Sequence, residues 1–206
     1  PIRRRNRREA CAQVTPLPSQ PPRTVAASAR TTEWRLVLAL GAMGAAIWLW
    51  FGLSTRAALE DAFITFRYAR NIALGNGFVY NLGERVLGTT TPLQTSLLAA
   101  LGWVLGPDEI PLIAGFLMPL FGLAAGVFAG LALLRLGLSR PAVIAGSLLF
   151  YAHVVVIRTS LGRMETPLVL FLMALSLYFL AQKRGLAATI VAAFLVLCRL
   201  DGLIWA

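Results

Sequence analysis

The chain has 206 residues, 58% of them hydrophobic and only 14% charged, with a mean hydropathy of +0.73. A soluble domain carries about 25% charged residues, so the composition excludes an ordinary water-soluble globule and points to a membrane protein. The net charge of +10 is concentrated at the start of the chain, which excludes a basic surface spread over a folded domain.

Arg3, Arg4, Arg5, Arg7 and Arg8 open the chain, and Arg23, Arg30 and Arg35 follow before the first apolar run. A basic block abutting a membrane helix holds that end in the cytoplasm and is drawn to anionic lipid. No aromatic residue interleaves the opening arginines, so the block does not read as a nucleic-acid-binding segment. Residues 1–33, with "TPLPSQPPRT", lack hydrophobic periodicity and read as a disordered basic cytoplasmic tail. The first apolar run begins near residue 36 and is long enough to span, so it does not read as a cleaved signal peptide. Cys11 and Cys198 build neither a disulfide framework nor zinc spacing. The chain opens on Pro1 and stops at Ala206 inside a hydrophobic run, which suggests a fragment of a longer protein.

Spans are expected at 35–54, 110–135, 141–158, 166–182 and 186–206, since a crossing helix needs about 20 apolar residues. The apolar piece "PLQTSLLAALGWVLG", 92–106, is about three-quarters of that length and sets the parity of everything after it. If it crosses, Arg135, Arg140, Lys183 and Arg184 face outside. If it dips into or lies along the outer face, all four fall inside with the N-terminus, as the positive-inside bias prefers, and only Arg158 and Arg163 remain outside. The second topology is therefore expected. It makes residues 55–109 one external segment and 34–206 one transmembrane domain.

Within that segment, "TRAALEDAFITFRYARNIALGNG" reads as an amphipathic helix stopped at Gly75-Asn76-Gly77. Phe63, Phe66, Ala69 and Ala73 recur at helical spacing and suit a membrane surface, while Glu60, Arg67 and Asn71 fall on a separate polar face. "NLGER", 81–85, reads as a surface turn. Charges then recur at the same outer level: Glu60 and Asp61, then Arg158, Arg163 and Glu165 in "RTSLGRMETP", then Arg199 and Asp201 in "CRLDGL". A charge within a span costs about 2.5–3.5 kcal/mol on insertion scales, which favours convergence of these clusters on one pocket. Blander readings exist for each. Arg199 and Asp201 neutralise one another, Arg158 and Arg163 snorkel to headgroups, and the acid pair complements a helix dipole.

An outer-leaflet carboxylate beside several arginines suits transfer of a sugar from a lipid phosphate. Arginines stabilise the leaving phosphate, and one positioned carboxylate deprotonates the acceptor hydroxyl. Here the residues also resemble a known family. "EDAFITFRYARNIALGNGFVYNLGERVLGTTTPLQTSLLAAL" resembles the first external loop of GT-C class membrane glycosyltransferases, specifically the bacterial terminal arabinofuranosyltransferase and mannosyltransferase-like group. "GRMETPL" and "CRLDGL" resemble that group's later signatures, in order, so the resemblance covers roughly residues 55–206.

The resemblance implies an all-α polytopic helix bundle with external juxtamembrane helices after the first span. It implies a polyprenyl-phosphate sugar donor, inversion at the anomeric carbon, and a multi-pass protein of the plasma membrane. The acceptor would be an extracytoplasmic cell-envelope glycan, lipid or protein. Glu60 and Asp61 match the family's catalytic acid pair. Arg67, Asn71, Arg158, Arg163, Glu165, Arg199 and Asp201 are the expected substrate-binding residues. The sequence departs from the family in having Glu60 where the first acid is usually Asp, which moves the carboxylate by about an ångström, and Leu200 where Pro is usual. Glu60 is expected to be the base, because Arg67 and Asn71 share its face. No cofactor is certain, and a divalent cation is the one candidate. An acid pair can bind a divalent cation, although two carboxylates alone make a poor dedicated site. Alternatives from other classes are a transporter or flippase of a lipid-linked anion, marked by charges spread through the membrane and broken helices, and a non-catalytic subunit or inactive fragment.

Overall fold

The computed structural model describes residues 23–54, 59–84, 86 and 88–199. The chain divides into two units, Pro1–Thr32 and Glu33–Ala206, and the second contains every packing contact and site described below. The described residues form an all-helical membrane-type bundle: α1 Arg23–Ser54, α2 Glu60–Ala73, α3 Pro92–Leu105, a 3-10 turn Pro107–Glu109, α4 Ile110–Arg135, α5 Arg140–Ala152, α6 Val154–Leu161, α7 Thr166–Ala181 and α8 Gly185–Cys198.

Local chemistry explains most of the helix starts. Pro92, Pro111, Pro141 and Pro167 each sit in a first turn, where the missing N–H costs nothing and the fixed φ is already helical. Helix α1 begins at Arg23, inside the segment expected to be a disordered tail. Ala26, Ala27 and Ala29, the strongest helix formers, follow the Pro21-Pro22 break. The expectation for residues 1–22 lies outside the described residues.

Thr31–Ser54 and Pro107–Arg135 are long and apolar enough to cross a membrane; α3, α7 and α8 are apolar but shorter, the expected span 186–206 being described only to Arg199. The expected span 141–158 is instead two helices, α5 and α6, bent by 51° at His153. The β-branched run Val154–Ile157 is a poor helix former, and the break is made tolerable by a distant residue. The Trp48 indole N–H of α1 donates to the Tyr151 carbonyl at 2.8 Å. In an uninterrupted helix that carbonyl would accept from four residues on.

Long-range contacts sort the helix ends. Arg135 Nη2 lies 3.1 Å from Glu33 Oε2, and the Trp34 ring meets Phe128 and Tyr178 at centroid distances of 6.3 and 6.4 Å. The start of the α1 span, the end of α4 and the end of α7 therefore share one end of the bundle. Arg140, Lys183 and Arg184, a few residues on, stand near it. At the opposite end Leu161 packs by Gly52, Leu59 packs on Gly162, and Arg199 pairs with Glu165. This is the grouping expected if 92–106 does not cross.

The packing of α3 gives the reason. Gln94 reaches Met118 of α4, while Gly102 lies so close to Ile110 that an added Cβ would fall 2.7 Å from its side chain. Helix α3 thus runs back along the first eight or so residues of α4, about 12 Å at 1.5 Å per residue, and stops at the start of α4. Ala62, Phe66 and Ala69 of α2 close a core with Leu98, Ala99, Ile110 and Ala114. Phe66 and Ala69, expected against lipid, are buried inside the protein because α3 and α4 cover that face first; Phe63 remains about half exposed.

Candidate functional site

Helix α2 carries the acid pair at its first turn, with Leu59 as the extended N-cap. Neither carboxylate makes an ion pair among the described residues, and both are exposed. Negative charge there is favoured by the exposed N–H groups of the first turn. Leu59 seats this end against the α6–α7 loop: a Cβ on Gly162 would come within 2.7 Å of Leu59 Cδ1. Met164 of the same loop packs on the core that includes Ala62 and Phe66.

The loop is shaped by Arg163. Helix α6 ends with Gly162 as C-cap, the Arg163 N–H donating to Ser160 O at 3.3 Å and the Met164 N–H to Thr159 O at 3.0 Å. That pattern needs a left-handed residue at 163, and Arg163 supplies it at φ 65 where glycine is usual. Lys183 adopts the same conformation, φ 59, at the opposite end, so strain alone assigns no role. What sets Arg163 apart is its surroundings. Its guanidinium lies over Gly115 of α4, where an added Cβ would meet Nε at 3.3 Å, and its carbonyl accepts from Gln94 Nε2 at 3.1 Å. Gln94 is 1% exposed and is the link by which α3 holds this loop.

Two residues on, the buried Glu165 accepts from Arg199 Nη1 at 3.0 Å. Arg199 was expected deep inside a helix beside Asp201. It stands instead just past the end of α8, in extended backbone (φ −154, ψ 148), where it also donates to Glu165. Asp201 lies outside the described residues. Arg158, in the last turn of α6, is exposed. Three of the sequence-distant clusters thus meet at one end of the bundle: the start of α2, the 162–165 loop and the end of α8.

Arg67 and Asn71 are found holding backbone. Arg67 donates from Nε to Tyr80 O at 2.9 Å and from Nη2 to Asn81 Oδ1 at 3.0 Å, with its guanidinium 4.6 Å from the Tyr80 ring centroid. Asn71 Nδ2 donates to Val79 O at 2.8 Å and Tyr80 O at 3.0 Å. Tyr68, which the sequence did not single out, completes the clamp. Its hydroxyl donates to Val86 O at 2.5 Å and accepts the Gly88 N–H at 2.8 Å. "FRYARN" is therefore the device that pins the following loop to α2, and a Cβ at Gly88 would lie 2.8 Å from the Tyr68 oxygen. Thr89 and Thr91 of "TTTP" turn inward as a hydroxyl chain, Thr89 to Thr91 at 3.1 Å and Thr91 to Thr65 at 3.5 Å.

Beside this clamp is a cleft of about 590 Å³ whose lining includes Phe63, Arg67, Arg70, Tyr80 and Asp108. It lies on the Glu60 side of α2, because Phe63 and Arg67 follow Glu60 at three and seven residues. Asp61 instead aligns with the buried Thr65 and Tyr68. Among the described residues no group of three or more His, Cys, Asp or Glu side chains is placed to hold a metal ion.

Over 111 residues, 54% of its length, the chain is 35% identical to a terminal beta-(1->2)-arabinofuranosyltransferase of Mycobacterium tuberculosis. The match covers 16% of that protein, so this chain spans only a minor part of its relative's length. No protein-family profile matches the chain, and no solved structure matches it. This identity makes the chain arabinofuranosyltransferase-like in sequence.

Proposed function

We propose that the chain serves a membrane glycosyltransferase that moves a sugar from a polyprenyl-phosphate donor to an acceptor hydroxyl outside the cytoplasm, with inversion. The observation that carries this is the meeting of the α2 acid pair, Arg163 and the Glu165–Arg199 pair at one end of the bundle, in a chain related to an arabinofuranosyltransferase. Glu60 takes the acceptor proton as general base. The acceptor oxygen then bonds to the anomeric carbon from the face opposite the phosphate. The bond from that carbon to the phosphate oxygen breaks, and the electron pair leaves with the phosphate, whose charge Arg163 and Arg199 stabilise. Arg158 serves the donor headgroup, and Asp201 stands in the same sequence motif as Arg199. Asp61 complements the α2 N-terminus or assists a cation.

The test is transfer by the full-length protein in vesicles, against a panel of polyprenyl-phosphate sugars. Turnover with one of them is expected; none with any would sink the proposal.

A transporter is the reading that the α5–α6 break could favour, since transporters build sites at broken helices. Trp48 donates to the carbonyl freed at that break, so the break is satisfied within the bundle, and the charges gather at one end and are not spread through the membrane as a transport path would need.

The proposed orientation places the end bearing Arg135, Arg140, Lys183 and Arg184 in the cytoplasm. In a background with Cys11 and Cys198 replaced, a cysteine at Thr90 should label from outside with an impermeant maleimide and one at Ser139 should not. The opposite pattern inverts the protein.

A further inference from the structure

We infer that the cleft beside α2 is the acceptor subsite and takes the ring of a neutral glycan; this rests on the glycosyltransferase reading and deepens it. Its volume, about 590 Å³, is in the range of small-molecule sites. Two kinds of surface meet there. Phe63 is 51% exposed and gives a flat apolar face on which the C–H face of a sugar stacks, and Tyr80, whose ring carries the Arg67 guanidinium at 4.6 Å, lines the cleft beside it. Asp108 has an 82% exposed side chain with one oxygen committed to Arg70 Nε at 2.9 Å, so its other oxygen is open to hydroxyl donors.

The chemistry disfavours the donor phosphate as occupant. Arg70 is paired with Asp108, and Arg67 already gives two hydrogen bonds to Tyr80 O and Asn81 Oδ1. A phosphate would have to break the Arg67 contacts that hold the loop, whereas Arg163, which makes no ion pair among the described residues, stands at the separate 162–165 loop. A neutral polyol uses the cleft as it stands. Position agrees with this: the cleft opens on the side of α2 that carries Glu60, and begins one turn, about 4.5 Å, further along the helix.

The experiment uses full-length protein in lipid nanodiscs, with arabinofuranose oligosaccharides and a polyprenyl phosphate as separate probes. Tyr80→Ala removes the ring but keeps the carbonyl that Arg67 and Asn71 hold, and Asp108→Asn removes the anionic acceptor. Each should raise the acceptor KM about tenfold with donor KM held, and weaken the oligosaccharide saturation-transfer NMR signal. Unchanged acceptor KM, or a rise in donor KM instead, overturns the inference while leaving the transferase reading standing. Should Tyr80→Ala unfold, Phe63→Ala, with its half-exposed ring, gives the same reading. If the wild type transfers no sugar, the transferase reading fails. Oligosaccharide binding that these variants still weaken then supports the cleft, and absence of binding to the wild type overturns it.

Discussion

Glu60→Gln should lower sugar transfer by about 10²–10⁴-fold with donor binding retained, because the amide keeps the shape of the carboxylate but accepts no proton. Asp61→Asn should give a milder loss. The difference follows from helix geometry. Adjacent residues stand about 100° apart, so only one of the pair aligns with Phe63 and Arg67 on the cleft side. Asp61 sits one turn before Thr65 and two before Tyr68, on the flank committed to packing and to the loop clamp. Both carboxylates are exposed at the start of α2, so either substitution should cost only the small stabilisation of negative charge at the helix N-terminus. The measurement is transfer rate with donor binding determined separately on the same preparation. Loss concentrated in Asp61→Asn reassigns the base, and full turnover in both variants removes catalysis from this helix.

The Glu165–Arg199 pair carries the second large effect. Arg199→Met or Glu165→Gln alone should cut transfer by about 10²-fold or more, since each takes away or misplaces a charge expected at the leaving phosphate. The stability cost should be about 1–2 kcal/mol, at the low end for a charged hydrogen bond, because the Arg199 side chain is 44% exposed and screened by solvent. The combination Arg199→Met with Glu165→Leu separates function from packing. Only Glu165 is buried, and replacing both residues with apolar side chains of similar volume removes that carboxylate together with the cation it pairs with, a change that is often neutral for stability. The doubly substituted protein should therefore insert and melt near wild type yet transfer no sugar. Recovery of activity in it would make the pair structural only.

Several features of this site could be read one motif at a time. "EDAFITFRYARNIALGNG" announces a helix, its acidic first turn and its glycine stop, and α2 follows it from Glu60 to Ala73 with Gly75 at φ 79. The faces were legible too: a period of 3.6 puts Glu60, Arg67 and Asn71 in line. Their occupations were not. Periodicity gives an angle about one helix axis and says nothing of what the chain later lays across that face, here the carbonyls of Val79 and Tyr80. The same limit hid Gln94, whose one detectable signal was an amide opening the short polar run Gln94-Thr95-Ser96 in a largely apolar helix.

The sequence by itself determined the membrane class, the helical architecture, the proline-marked helix starts and the grouping of basic residues, all of which rest on composition and on contacts within a few residues. Only the tertiary structure decided that α3 folds back along α4, that the span 141–158 breaks where Trp48 takes the Tyr151 carbonyl, and that Arg199 pairs with Glu165. Each of these joins residues far apart in the chain. Which helix faces meet depends on how side chains from separate helices pack, and at Gly102, Gly115 and Gly162 the missing side chain is what lets a neighbour approach closely enough to make the contact.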